Sequence, residues 1–127
     1  MTDQSQDVRN MPLAQFIELA AAKTPTPGGG AVAAVSGALG AAMFAMAVNY
    51  TRGEKFKAVA ELMDRTAAEL DRARAMFLEL MNEDMAAFAQ WQSAWRMDKA
   101  DPARAEALKV ATATAIAVPQ EMAALCL

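Results

Sequence analysis

The sequence predicts an all-α protein, a bundle of four or five helices around a buried, Ala/Gly-rich central helix. Three observations carry that expectation. The chain is 55% hydrophobic but only 6% aromatic, with ten Met, so its apolar content is Ala, Leu, Val and Met, which favours packed helices over sheet. Between Lys23 and Arg52 there is no charge at all, and that span holds the helix-length run Ala31–Tyr50. From Glu54 to about Met97 a helical pattern continues without Pro or Gly. At 127 residues the chain holds one domain and one sizeable core. We divide it into a flexible N-terminal tail, 1–10, and a single helical domain, 11–127.

Residues 1–10 are polar and contain no signal-peptide core. Pro12–Lys23 reads as a short amphipathic helix, with Leu13, Phe16, Ile17 and Ala20 on one face and Pro12 in the first turn. Pro25-Thr26-Pro27-Gly28-Gly29-Gly30 cannot continue it, because two closely spaced prolines break a helix and three glycines release the backbone. A helix starting near Gly29 or Gly30 would aim unpaired N–H groups and its positive dipole end at this turn, a place for an anion or a developing negative charge. Neither GxGxxG nor GxxxxGK[ST] is present, which disfavours a nucleotide.

The central helix, Ala31–Tyr50, would be roughly 30 Å long at about 1.5 Å per residue. Being apolar all round, it must be buried in protein or in lipid. Its length approaches that of a membrane span, but Ala and Gly give little drive for insertion and no second such segment follows. A core helix crossed closely by its neighbours is the better account. Thr51-Arg52-Gly53 reads as a stop, with Gly53 available for a left-handed cap. The run from Glu54 to about Met97 is one long helix or two. In it Phe77, Met81, Asp84, Phe88, Trp91 and Trp95 recur at steps of four and three, a helical seam holding one carboxylate. Asp101-Pro102 makes a cap and first-turn pair for a final helix reaching toward Leu125, which Pro119 should kink or break, freeing a carbonyl near Ala115.

A net charge of −3 and a pI near 4.9 argue against nucleic-acid binding. The lone Cys126 excludes an internal disulfide and fits a reducing, cytoplasmic setting. With no His, the commonest general base and the commonest metal ligand are both missing, and no metal site is expected. Asp84 stands out, since a carboxylate on an apolar seam must be paired, solvated by a cavity, or raised in pKa. A raised pKa suits a general acid/base; the alternative is a structural Asp bonded to Arg74, Arg65 or a backbone N–H. Arg52, Lys55 and Lys57 either meet an acidic ligand tail or simply open a charged helix. Asn49 and Thr51 either bind a ligand or cap the central helix. Trp91 and Trp95 either line an aromatic pocket or pack in the core, and the methionines read as packing filler.

These residues resemble a known family. Leu13-x-x-Phe16, the Thr24–Gly30 turn, Ala33-Ala34, Gly37-Ala38-Leu39-Gly40-Ala41-Ala42, then Met46, Asn49, Thr51, Gly53 and Lys55 are similar to the formiminotetrahydrofolate cyclodeaminase / methenyltetrahydrofolate cyclohydrolase family. So is Leu80-Met81-Asn82-Glu83-Asp84-Met85-Ala86-Ala87-Phe88, which resembles its acidic-Asp-x-x-Ala-Phe signature, and Pro119 falls where the family has a proline. The resemblance implies an all-helical homodimer or higher oligomer acting on one-carbon tetrahydrofolate derivatives. It implies no tightly bound cofactor, and no nucleic-acid or membrane partner. In the cyclodeaminase N10 attacks the formimino carbon on N5 and ammonia leaves; in the cyclohydrolase water adds to the methenyl carbon and the ring opens to 10-formyltetrahydrofolate. The family's catalytic Asp maps onto Asp84. Pro27, Gly28, Gly29 and Gly30 would lie against the substrate with Asn49 and Thr51, and Lys55 or Arg52 would meet the glutamate tail. The family's domain continues for several helices beyond the position of Leu127, so either a second subunit covers the central helix, or this is a fragment, or a shortened relative. The alternative is a non-catalytic, shortened relative acting as a helical oligomeric binding module.

Overall fold

A computed structural model describes residues 7–127. Among these it contains no strand. Its α-helices are α1 (Leu13–Ala21), α2 (Gly29–Tyr50), α3 (Ala60–Arg96) and α4 (Arg104–Leu125), with short 3-10 segments at Val8–Asn10 and Glu54–Val59.

The long helix α3 is the element against which the others pack, α2 on one side and α4 on another. Both neighbours run antiparallel to it. Along α2 and α3 the pairing is read from two glycines: a side chain at Gly30 would run into Asp84, and one at Gly37 into Phe77. Seven residues forward on α2 thus match seven residues back on α3. The α2 face in this contact is Ala31, Ala34, Ala41, Ala45 and Val48, all buried. Such small side chains let two helix backbones approach closely. Leu80, Met81 and Ala87 of α3 join Phe16 of α1 and Val118 and Met122 of α4 in the core. At Gly37 the fit is tight, because an added Cβ would stand 2.5–2.8 Å from three carbons of the buried Phe77 ring. Gly37→Ala is therefore expected to lower stability by about 1–3 kcal/mol through overpacking, read as an earlier midpoint in denaturant unfolding.

The central helix is buried on this one face only. On the opposite side Leu39, Met43, Phe44 and Tyr50 are mostly exposed, Phe44 at 69%. The same holds for α1, where Phe16 is buried but Leu13 and Ile17 are open.

Local chemistry sets the boundaries. Pro12 stands just before α1 and its carbonyl accepts from the Phe16 N–H at 3.0 Å. After α2, Gly53 takes φ +100° with an extended ψ, so the expected positive φ is there but in a different region from a left-handed cap. The run from Glu54 divides at Val59, which stands just before Ala60, into α3 and a 3-10 segment that is itself kinked at Phe56, whose φ and ψ leave the helical region. Asp101 does not cap the last helix, whose N-cap is Ala103 without a side-chain cap bond; its Oδ1 instead accepts from the Ala103 N–H at 2.8 Å in the turn that leads into the helix. The guanidinium of Arg104 stacks over Trp95, 5.4 Å from the ring centroid, and donates to the Trp95 carbonyl at 3.3 Å, tying the start of α4 to the end of α3. Pro119 does not break α4, which runs on to Leu125.

The expected tail also differs. Residues 1–6 lie outside the described residues, but Val8 is buried in the core at 4% exposure. Asp7 accepts from Arg9 Nη2 at 2.6 Å and from Asn82 Nδ2 at 2.8 Å, anchoring this end to α3. The hydrogen bonds from Arg9, then Asn82, hold the Asp7 carboxyl well below the usual carboxylate range.

Candidate active site

Asp84 is placed by two helices. α3 carries it one turn after the buried pair Leu80–Met81, and the antiparallel register sets it on the first turn of α2. Its carboxylate lies directly on Gly30, so close that a Cβ there would overlap Oδ1, Cγ and Oδ2. Glycine is required at that position by close approach, since the φ of Gly30 is an ordinary one. The side chain is half-buried. Burial pushes its carboxyl above the ordinary value, and the backbone N–H of Ala31, directed at the carboxylate, pulls the other way. Neither arginine proposed as its structural partner serves it: Arg74 pairs with Asp71, one turn away on its own helix, and Arg65 lies about 28 Å down α3, nineteen residues back.

In the turn that leads to Gly30, Pro27 is buried, Gly28 half-buried and Gly29 open. The Gly28 carbonyl accepts from the Val32 N–H at 3.1 Å, starting the helix. No side-chain cap bond is made at the start of α2, where the Ala31 N–H is directed at Asp84 instead. The site joins a carboxyl of raised proton affinity to the backbone of the first turn of α2. A half-buried carboxyl can move a proton, and oriented N–H groups can steady negative charge beside it.

The other expected site residues lie elsewhere. Asn49 is nineteen residues along α2 from Gly30, about 28 Å at the helical rise. There it lines an open cleft of about 260 Å³ with Ala42, Ala45, Met46, Tyr50 and Arg74. The hydroxyl of Thr51 donates to the Ala47 carbonyl at 2.8 Å, so this residue closes the helix. Arg52 pairs with Asp64 at 2.6 Å and Lys57 with Glu54 at 3.7 Å. Lys55 lies over the Phe56 ring at 5.6 Å. One chain therefore brings Pro27, Gly28, Gly29 and Gly30 together with Asp84, and leaves Asn49, Thr51 and Lys55 at the far end of α2. Sequence reasoning missed Arg74 and Tyr50 as lining residues of that second cleft; their spacing on separate helices carries no local signal.

Beyond Asp84 the aromatic part of the seam is not core. Phe88, Trp91 and Trp95 stack on one another, with centroids 6.2 and 5.3 Å apart, and Trp95 is 58% exposed. The side of α3 that turns inward there presents Ala87 and Ala94.

Comparison with known proteins agrees with this architecture. A family model described as formiminotransferase-cyclodeaminase matches residues 12–127. The chain is 31% identical over 122 residues to a methenyltetrahydrofolate cyclohydrolase of Methylorubrum extorquens, covering 92% of this chain and 59% of that protein. It is 33% identical over 123 residues to the formimidoyltransferase-cyclodeaminase of Mus musculus, covering 93% of this chain and 23% of that one. The crystal structure of formiminotetrahydrofolate cyclodeaminase from Thermotoga maritima superposes with a TM-score of 0.84 at 30% identity, over 93% of this chain and 57% of the other. The chain thus spans less than two thirds of the length of these relatives, yet nearly all of it is matched. With the family model aligned from Pro12 to the last residue, and a solved cyclodeaminase sharing the helical arrangement, this chain belongs to the formiminotransferase-cyclodeaminase family.

Proposed function

We propose that the protein acts on the C–N bonds of 5,10-methenyltetrahydrofolate, as a cyclohydrolase or a formiminotetrahydrofolate cyclodeaminase, with Asp84 as general acid/base. The observation that carries the reading is the half-buried Asp84 carboxyl on Gly30, its proton affinity raised by burial, at the uncapped start of α2. The names of the relatives supply the substrate class. In the hydrolytic direction water adds to the methenyl carbon and gives up a proton. N5 then takes a proton as its bond to that carbon breaks, leaving the formyl group on N10. In the cyclodeaminase N10 attacks the formimino carbon and the departing nitrogen leaves as ammonia. Each reaction moves protons on and off one tetrahedral carbon, and a single carboxyl that alternates between its two forms can serve both transfers.

The reading includes a cytoplasmic homo-oligomer with no tightly bound cofactor, its folate entering as substrate. The test is optical. Purified protein should consume 5,10-methenyltetrahydrofolate in an absorbance assay, or form it from 5-formiminotetrahydrofolate, and Asp84→Asn should do neither. A folded wild-type protein inert in both assays would overturn the assignment.

A further inference from the structure

Beyond Asp84, the stripe of α3 that meets α2 runs on without it. Phe88, Trp91 and Trp95 follow Asp84 at steps of four, three and four, so all four residues share that stripe. Because α2 starts opposite Asp84, the three stacked rings form a shelf past the head of that helix. From Asp84 to Trp95 the shelf is about 16 Å long at the helical rise.

A cation closes its far end. The Arg104 guanidinium lies over the Trp95 ring and donates to the Trp95 carbonyl. Among the described residues Arg104 makes no ion pair, and its Nε is buried without an acceptor. The neighbouring carboxylates of Asp98 and Asp101 accept instead from the backbone N–H groups of Ala100 and Ala103. A guanidinium fixed on an aromatic face and left without a carboxylate keeps donors for one from outside.

We propose that Phe88, Trp91, Trp95 and Arg104 hold the aminobenzoyl-glutamate half of the folate, its ring against the stacked aromatics and a glutamate carboxylate on the guanidinium, while the one-carbon unit lies at Asp84. This rests on the folate reading and deepens it.

The order of groups sets the orientation. In a 5,10-bridged folate the one-carbon unit joins N5 to N10, and N10 carries the benzoyl ring, whose amide leads to the glutamate. From Asp84 outward the shelf offers rings and then a cation, matching a planar ring followed by anions. A pteridine laid along it would bring no anion to Arg104. A ring on the stack meets it edge to face or offset, both favourable arrangements, and Phe88 and Trp95 are exposed to receive it. The cations expected to take the tail, Arg52 and Lys55, stand past the other end of α2, roughly 30 Å away along the helix. Arg52 is moreover paired with Asp64.

Trp91 and Trp95 are the chain's two tryptophans, so each gives one indole N–H signal in a nitrogen-correlated NMR spectrum. Titration with 4-aminobenzoylglutamate, which cannot react, should move both signals along a saturable curve. The neutral 4-aminobenzamide, lacking the glutamate, should bind about tenfold more weakly, the scale of one charge-assisted hydrogen bond. Arg104→Gln should erase that difference. In turnover, the preference for 5,10-methenyltetrahydrofolate over its glutamate-free pteroyl amide, taken as a ratio of kcat/KM, should fall by the same factor in Arg104→Gln. A variant that is only partly folded loses both substrates alike and leaves the ratio unmoved. Trp95→Leu should raise KM for both substrates by about threefold to tenfold, and Trp95→Phe should restore most of it. Signals that stay still, or a preference that survives Arg104→Gln, overturn the proposal. So do signals that follow protein concentration instead of ligand, which would assign the stack to contact with a second copy. A protein that turns over the folate while its indole signals ignore 4-aminobenzoylglutamate overturns the shelf and leaves the folate reading standing. One that binds 4-aminobenzoylglutamate with these preferences but turns over neither folate keeps the shelf and sinks the folate reading.

Discussion

Asp84→Asn should lower kcat by about 10²–10⁴-fold, the range for loss of a positioned acid/base group, and at the same time raise the melting temperature at neutral pH. Both effects come from one geometry. The carboxyl is half-buried on the Gly30 backbone, and burial lifts its pKa above the ordinary 3.8. In the unfolded chain the group ionises at its ordinary value, whereas the folded protein resists that ionisation. The folded state therefore carries a penalty that is absent in acid, grows as the pH climbs past the ordinary value, and levels off above the raised one. Asn keeps an oxygen that can accept from the Ala31 N–H and carries no charge at any pH. The stability gap between variant and wild type should open on going from acid to neutral pH, as followed by thermal melts across that range. A gap that is constant with pH would show that the group's ionisation does not oppose folding.

Gly30→Ala should cost at least about 10²-fold in kcat/KM, the scale of a catalytic group displaced by about an ångström, while leaving the protein folded. The new methyl would occupy the space of the Asp84 carboxylate, and the carboxylate is the mobile partner, so it swings off the head of α2. Helix propensity favours Ala over Gly by about 0.8–1.0 kcal/mol in a helix interior, so stability offers no warning of the damage. The contrast with Gly37→Ala separates the two contacts. There the obstacle is a buried aromatic ring that cannot leave, so stability falls and the chemistry a few turns away continues. Steady-state kinetics and denaturant unfolding on the two variants should show these opposite patterns.

Much of this architecture is legible in the sequence because it is written in local rules. Proline, glycine and a charge-free run fix the start of α2 to within two residues of Ala31 and its end at Tyr50. The helical seam of α3 identifies Phe77, Met81 and Asp84 as an inward-facing row, and they are. The same seam misjudges Phe88 and Trp95. Its spacing stays in phase with the helix, but α2 begins opposite Asp84, and α3 continues for about three more turns with no α2 beside it. Periodicity reports which residues share a face and says nothing about where the neighbouring helix starts. Asn49 and Lys55 were grouped with Gly30 for a related reason. Asn49 lies in the last turn of the helix whose first turn holds Gly30, and Lys55 lies just beyond it, so the family pattern joins them in sequence while a rigid helix keeps its ends apart. The docking of Val8 has no periodic signal at all, since it depends on a single side chain and the Asp7–Asn82 contact across 75 positions of chain.

The matched spacing of the two helix contacts has a consequence for how this chain can vary in length. Gly30 and Gly37 on α2 meet Asp84 and Phe77 on α3, seven residues apart on both sides. Two turns of helix separate the members of each pair, so both fall on the facing sides. One residue inserted or deleted within either segment turns everything beyond it by about 100° and shifts it by about 1.5 Å. One of the two glycines would then face away from its partner, and a neighbour such as Ala31, Ser36 or Ala38 would bring a Cβ into its place against a carboxylate or a ring. Loops such as 97–103 can absorb length changes, but 30–37 and 77–84 cannot. Among active descendants of this chain, substitutions should accumulate in both segments while gaps do not.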